Sequence, residues 1–332
     1  EKSPLTIWKN HDMIAIRLEK NLKKRVEKMK KKIFITLGIL LAIIVIGGGG
    51  FAYYVYHSVQ NAADKMYDSK SVKPSEKNTE KIKSEKPISI LLLGVDERAG
   101  DVGRSDTVII LTLNPQKKAM QMISIPRDTR TEIVGKGTLN KINAAYAYGG
   151  PKMALDTVNK FADLNLDQYI RINMEGLADL VDAVGGVTVY NKISWHDEGY
   201  YKKGYYYAKG NITLDTGKKA LGYVRMRHLD PQGDFGRNQR QRDVIMAVIN
   251  KASTIQSFSR YQEILAAIQN NIKTNLTLDD MKNIAMNYRD CRQNTTDYEV
   301  KGNSTTIDGI YYLNVSQAER DKVHNMVTNM EQ

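Results

Sequence analysis

Cysteine is almost missing from this chain. Cys291 stands alone, so no intrachain disulfide can form. Five histidines lie far apart, at positions 11, 57, 196, 228 and 324, which excludes the ligand spacing of a zinc site. Internal repeats are absent. The net charge of +12 is not a general surplus: residues 1–32 hold eleven Lys/Arg against four Asp/Glu and so carry +7 of it. Basicity concentrated in a tail argues against a nucleic-acid-binding domain. Hydrophobic content of 42% and charged content of 26% are those of an ordinary folded protein.

One long hydrophobic run is present. Lys28-Met29-Lys30-Lys31-Lys32 leads directly into Ile33–Tyr56, which contains no charged residue. A helix of that length spans about 36 Å at about 1.5 Å per residue, enough for a hydrocarbon core of roughly 30 Å. Tyr53, Tyr54 and Tyr56 fall where an aromatic belt belongs, and lysines stand on the upstream side only. The expectation is a basic cytoplasmic tail over 1–32, a single transmembrane helix over 33–56, and everything beyond outside the cytoplasmic membrane. A folded exported region without disulfides suits a bacterium better than a eukaryotic secretory route.

Residues 57–86, rich in Lys, Ser, Glu and Asn, predict a solvated extracytoplasmic linker. Residues 87–332 predict one α/β domain. Buried strands are expected at Ile88–Val95, Thr107–Leu113 and Ala119–Ile125, with further strands at Tyr169–Ile172, Val187–Tyr190 and Ile310–Val315. Helical spacing appears at Asn140–Tyr148, Pro151–Phe161, Glu175–Val184, Thr216–Arg225, Asn238–Thr254, Arg260–Ile272 and Leu278–Tyr288. Ser316 and Glu319 predict a capping box for a last helix. This interleaving implies a central mixed β-sheet with helices on both faces.

Chemistry-bearing residues gather at the ends of the expected strands. Asp96 follows the first, Arg104 and Asp106 precede the second, and Arg127 and Asp128 follow the third. Strand ends are the usual ligand-binding edge of an open α/β sheet. Asp96 and Asp106 could share one hard cation, Mg²⁺ or Mn²⁺, completed by phosphate oxygens and water. Five arginines then fall between Tyr223 and Asp243: Arg225, Arg227, Arg237, Arg240 and Arg242. Guanidinium matches phosphate oxygens with a planar fork of donors, whereas ammonium offers a point charge. An extended 224–227 segment would place Arg225 and Arg227 on one face. A turn at Asp234 and Gly236 before a helix would place Arg237 beside Gln241, leaving Arg240 and Arg242 toward water. Ordinary turn residues and ion pairs are the bland alternative for each of these positions.

The motifs LLLGVDER, RSDT, SIPRD, KINAAYAYGG, VGGV, YVRMR and GRNQRQR occur in one order over about residues 88–255. That ordered set resembles the LytR–CpsA–Psr family of cell-wall proteins. Asn143 stands where some members carry histidine. The resemblance implies a phosphotransferase that moves an anionic glycopolymer, such as wall teichoic acid or capsule, from a polyprenyl diphosphate carrier to peptidoglycan. The acceptor it implies is the C6 hydroxyl of N-acetylmuramic acid, and the fold is a helix-flanked sheet with an apolar pocket for the lipid. Matched position by position, Asp96 and Asp106 are the metal carboxylates. Arg104, Arg127, Arg225, Arg227, Arg237 and Gln241 grip the diphosphate. Arg127 and Arg225 also count as catalytic, with Asp234 the expected base for the sugar hydroxyl and Asp96 the rival for that role. A diphosphatase using water, or a non-catalytic membrane-anchored regulator, would preserve much of the same pattern.

Overall fold

The computed structural model describes residues 53–68, 70–73, 75–97, 103–252 and 258–332, with the side chains of residues 258–262 left aside. Residues 33–52 of the expected membrane span lie outside the described residues, as does the basic tail. Among the described residues no helix is long and apolar enough to cross a membrane.

Residues 53–66 (α1) and Glu76–Lys83 (α2) are helical, so the segment expected as a solvated linker is largely ordered. Ala62, Ala63 and Met66 are buried, and Ile82 is fully so. Asp68 accepts from the Tyr169 hydroxyl at 2.9 Å and from the Ser71 hydroxyl at 2.6 Å. A handful of well-placed apolar anchors docks a segment whose average composition is polar.

Ile88–Val95 (β1), Ser105–Asn114 (β2) and Ala119–Ser124 (β3) follow as an antiparallel meander. The hairpin Arg130–Ile133 (β4) and Thr138–Lys141 (β5) leads into Ala144–Ala162 (α3). Residues 140–143, expected as helix, instead finish β5 and turn. The two helices expected around Pro151 form one element broken at Gly149 and Gly150. Gly150 takes φ +63°, which glycine alone adopts cheaply, and proline then restarts the helix without needing a donor.

Tyr169–Asn173 (β6), Met174–Ala183 (α4), Val187–Asn191 (β7), Trp195–His196 (β8), Tyr206–Tyr207 (β9) and Gly210–Leu214 (β10) come next. The stretch 194–213, to which the sequence assigned no element, contains two short strands of a hairpin and a strand paired with β7. Gly217–Arg225 (α5), Asp234–Ala252 (α6), Phe258–Asn271 (α7), Ile272–Thr274 (β11) and Leu278–Asn287 (α8) precede Asn294–Glu299 (β12). Asn303–Ile307 (β13) and Ile310–Asn314 (β14) pair with each other outside the main sheet, and Gln317–Glu331 (α9) closes the order. Ser316 caps α9 by accepting from the Glu319 N–H. The Glu319 carboxylate instead takes the Tyr298 hydroxyl and the Lys301 N–H, so only half of the expected capping box forms.

The six-stranded sheet runs β11-β6-β1-β2-β3-β12, with β6 parallel to β1 and β12 parallel to β3. Strand periodicity divides β1 between two cores. Leu91, Leu93 and Val95 pack with α3 and α9; Ile88 and Ile90 pack on the opposite face with α2 and α8. Helices thus cover both faces, as expected of the mixed α/β class. A third apolar cluster joins α4, α5, α6, β7 and the 195–207 hairpin.

Candidate active site

The candidate site forms where β1 ends and β2 begins. The β1–β2 register pairs Gly94 with Thr107 and Val95 with Ser105, leaving Asp106 as an extra residue in a bulge. Bulges of this kind re-aim a side chain. A Cβ on Gly94 would lie 2.8 Å from the Thr107 Cβ, so glycine is what lets the strands close there. Thr107 Oγ1 in turn donates to Gln241 Oε1 at 2.6 Å, fixing α6 over the bulge.

Arg127, just after β3, spans two carboxylates. Its Nη1 lies 2.9 Å from Asp106 Oδ1 and its Nε 3.0 Å from Asp234 Oδ2. Burial works against the charge of Arg127, but Asp106 and Asp234 outweigh it and raise its pKa above the ordinary value. Asp234 Oδ1 is also 2.9 Å from Arg227 Nε and 3.3 Å from Arg237 Nη2. One carboxylate therefore centres three guanidinium groups. Arg225 approaches Asp96 at 3.8 Å. Arg104 stands exposed at the start of β2, outside these pairs.

Arg237 lacks more partners than Arg240 and Arg242 on the same helix, which are unpartnered at Nε only. Only 7% of the residue is exposed, and its Nε and Nη2 find no hydrogen-bond partner. Burial, only partly offset by Asp234, lowers its pKa. A buried guanidinium with unsatisfied donors is costly in an otherwise complete structure. It is the arrangement expected where an anion supplies the missing acceptors.

Several local expectations change. α5 continues through Arg225 and only Met226 is extended, so Arg225 and Arg227 do not share a strand face. Asp234 and Gly236 belong to the first turn of α6 rather than to a turn before it. Arg240 and Arg242, expected toward water, are buried at 5% and 2% exposure. Arg240 pairs with Asp230 at 2.5 Å and lies 5.3 Å above the Trp195 ring. Arg242 donates to Ser124, to Gln239 at 2.6 Å and to Glu299 at 3.4 Å. The first half of α6 is inserted between the sheet edge and the 195–207 hairpin, which gives both arginines protein partners. Gly236 permits that insertion: a Cβ there would lie 1.9 Å from Asp230 Oδ2.

Four supporting residues were not given roles from the sequence. Asp128 is buried and pairs with Lys141 at 2.6 Å. Arg171 on β6 meets Glu97 at 2.9 Å beside the end of β1. Asp128 was named at the end of the third expected strand without a role, and Glu97 adjoins Asp96. Asn143 is buried behind Arg127, donating its N–H to the Arg127 carbonyl, while its own side-chain oxygen is unpartnered. Among the described residues no group of three or more His, Cys, Asp or Glu is set to hold a metal. Asp96 and Asp106 remain a two-carboxylate set, which suits Mg²⁺ that keeps waters and takes phosphate oxygens. A separate polar cavity of about 520 Å³, lined by Ser89, Asp167, His324 and Glu331 among others, opens at the opposite end of β1 and contains none of these residues.

The LytR_cpsA_psr family model matches residues 53–329. The chain belongs to this family. A relative from Bacillus cereus, named polyisoprenyl-teichoic acid–peptidoglycan teichoic acid transferase TagU, is 48% identical over 300 residues, covering 90% of this chain and 97% of its own. The crystal structure of Bacillus subtilis TagU is 40% identical with a TM-score of 0.59, covering 74% of this chain and 98% of that one. A structure of TagT bound to LIIa-WTA is 30% identical with a TM-score of 0.61, covering 74% and 91% respectively.

Proposed function

We propose that this transferase couples an anionic glycopolymer, of the teichoic acid class, from a polyprenyl diphosphate carrier to the C6 hydroxyl of peptidoglycan N-acetylmuramic acid. The observation that carries the reading is the buried guanidinium of Arg237, whose Nε and Nη2 have no hydrogen-bond partner, beside Arg127 and Arg227. Arg104, Arg127, Arg225, Arg227 and Arg237 against Asp96, Asp106 and Asp234 leave a formal surplus of +2. A diphosphate diester carries the opposite charge. The names of the relatives support the polymer and the acceptor, and the charge-free run Ile33–Tyr56 supports action outside the cytoplasmic membrane.

In this reading the sugar hydroxyl oxygen attacks the phosphorus that bears the glycopolymer. The P–O bond to the polyprenyl phosphate breaks, and polyprenyl monophosphate leaves. Positioning and neutralisation of developing phosphoryl charge supply most of the acceleration in such transfers. Arg127, Arg225, Arg227 and Arg237 provide the fixed positive charge, with Gln241 held in place by Thr107. Mg²⁺ bound by Asp96 and Asp106 would add Lewis-acid stabilisation of the phosphoryl oxygens. Asp234 accepts the hydroxyl proton, exchanging one of its arginine contacts for the sugar.

The test is transfer from a polyprenyl diphosphate glycopolymer to peptidoglycan oligomers, with and without chelator. Coupled product that disappears on chelation is expected; free phosphorylated polymer in its place would mark a diphosphatase instead. Asp96→Asn is expected to lose transfer and Mg²⁺ dependence together. Near-wild-type transfer by Asp234→Asn would remove Asp234 from the role of base.

A further inference from the structure

The hairpin of β8 and β9 carries a loop built with more care than a connection requires. Asp197 is 3% exposed, and its carboxylate accepts three successive backbone N–H groups, from Tyr200 at 3.3 Å, Tyr201 at 2.7 Å and Lys202 at 2.6 Å. Its own carbonyl takes the Gly204 N–H at 2.9 Å and its N–H goes to the Tyr205 carbonyl at 2.8 Å. Beneath the loop, Trp195 stacks on Tyr207 at 4.8 Å, and Tyr205 meets Tyr207 edge-on at 4.9 Å. A buried carboxylate and an aromatic stack thus fix the shape of a surface loop.

The outer side of that loop has a definite chemistry. Tyr200 and Tyr206 are 43% and 53% exposed, with His196 tilted against Tyr206 at 5.0 Å. Lys202, Lys203 and Lys209 are exposed, and no described carboxylate forms an ion pair with them. Of the two acids of the loop, Asp197 is held by the backbone amides, and Glu198 lies 3.5 Å from His228 Nδ1, an ion pair when that histidine is protonated. Flat aromatic faces alternating with ammonium groups fit a chain in which sugars or polyols alternate with phosphates. The tip has no Leu, Ile or Phe with which to enter a lipid interior.

The loop also adjoins the arginine site. His228, its partner through Glu198, directly follows Arg227. Tyr201 packs on α5 so closely that a Cβ on Gly222 would lie 2.6 Å from the Tyr201 Cβ, one helical turn before Arg225. We propose that the 196–209 loop is a second binding surface for the anionic glycopolymer, holding the repeats beyond the diphosphate on Tyr200, Tyr206, Lys202 and Lys203. This rests on the transferase reading of the arginine site. The loop selects for polymer length and phosphate content and plays no part in the bond changes.

The test uses the full chain and the variant Y200A/K202E/K203E, whose three positions are exposed. Two carriers are compared: polyprenyl diphosphate bearing a long polyol-phosphate polymer, and the same lipid bearing only a disaccharide. For the long polymer KM is expected to rise about tenfold with kcat little changed, the combined size of a few exposed charge contacts, and to do so less at high salt. The disaccharide carrier is expected to react as with the unaltered protein. Equal loss on both carriers, or loss on neither, overturns the proposal. If the unaltered protein transfers neither carrier, the transferase reading itself fails, and calorimetric binding of lipid-free polyol-phosphate polymer still decides the loop: about tenfold weaker binding by the variant supports it, equal binding overturns it. Phosphatidylglycerol vesicles without polymer form the last arm. Vesicle binding that the variant loses, with unchanged KM for the polymer, would make the loop a membrane-facing surface instead.

Discussion

Arg237 and Arg242 lie five residues apart on one helix and are both buried, yet their surroundings are opposite. Arg242 donates to Ser124, Gln239 and Glu299. Arg237 makes no such bond through Nε or Nη2 and meets only a carboxylate already shared with Arg127 and Arg227. Both Nη atoms of Arg242 reach protein acceptors and only its Nε is left without one, whereas Arg237 lacks a partner at Nε and at Nη2. Burial alone therefore does not distinguish the two arginines; the set of acceptors does.

The same substitution at both positions should break this symmetry most sharply. Arg242→Met strands Glu299 in a buried position, where burial already raises its pKa despite Asn238 and Arg242. The expected cost is about 3–5 kcal/mol, read by chemical denaturation. Arg237→Met leaves Asp234 with two arginines and removes a charge that burial disfavours. Its transfer rate should fall about 10²–10³-fold while stability changes by less than about 1 kcal/mol. A large stability loss there would show that Arg237 is structural after all.

The smallest effect tests burial on the same helix without an arginine. Asp243 has a raised pKa, first because of burial, with the Gln239 amide and Lys192 acting against that shift. A raised folded-state value means its contribution is full below the unfolded pKa and lost as pH rises through the folded one. Asp243→Asn keeps an oxygen for Gln239 and carries no charge. It should raise the denaturation midpoint slightly at pH 7, by about 1 kcal/mol or less, with the advantage vanishing toward pH 4.

These contrasts also mark what could be read from residues alone. β1, β2 and β3 were legible because both their faces are buried and each is a nearly continuous apolar run. β12, Asn-Thr-Thr-Asp-Tyr-Glu, was not: it is an edge strand, exposed along most of its length, with no alternation to betray it. Residues 57–86 were misread because a few anchors, Ala62, Ala63, Met66 and Ile82, dock a segment otherwise made of polar residues. At the site, Asp106, Arg127, Arg227, Asp234 and Arg237, all singled out from the ordered motifs, lie side by side in the fold. The motifs could not tell Arg240 and Arg242 from solvent-facing arginines. That distinction depends on Asp230, Trp195, Ser124 and Glu299, whose proximity only the fold creates.

The parallel pairing of β12 on β3 has a consequence in time. Residues 96–127 precede 225–241 by about a hundred positions, and Glu299, which steadies α6 through Arg242, comes later still. Contacts so distant along a chain form late, because loops must close before they are rewarded. A chain emerging from its N-terminal end is thus expected to bring Arg127 together with Arg225, Arg227 and Arg237 only after the later elements have formed.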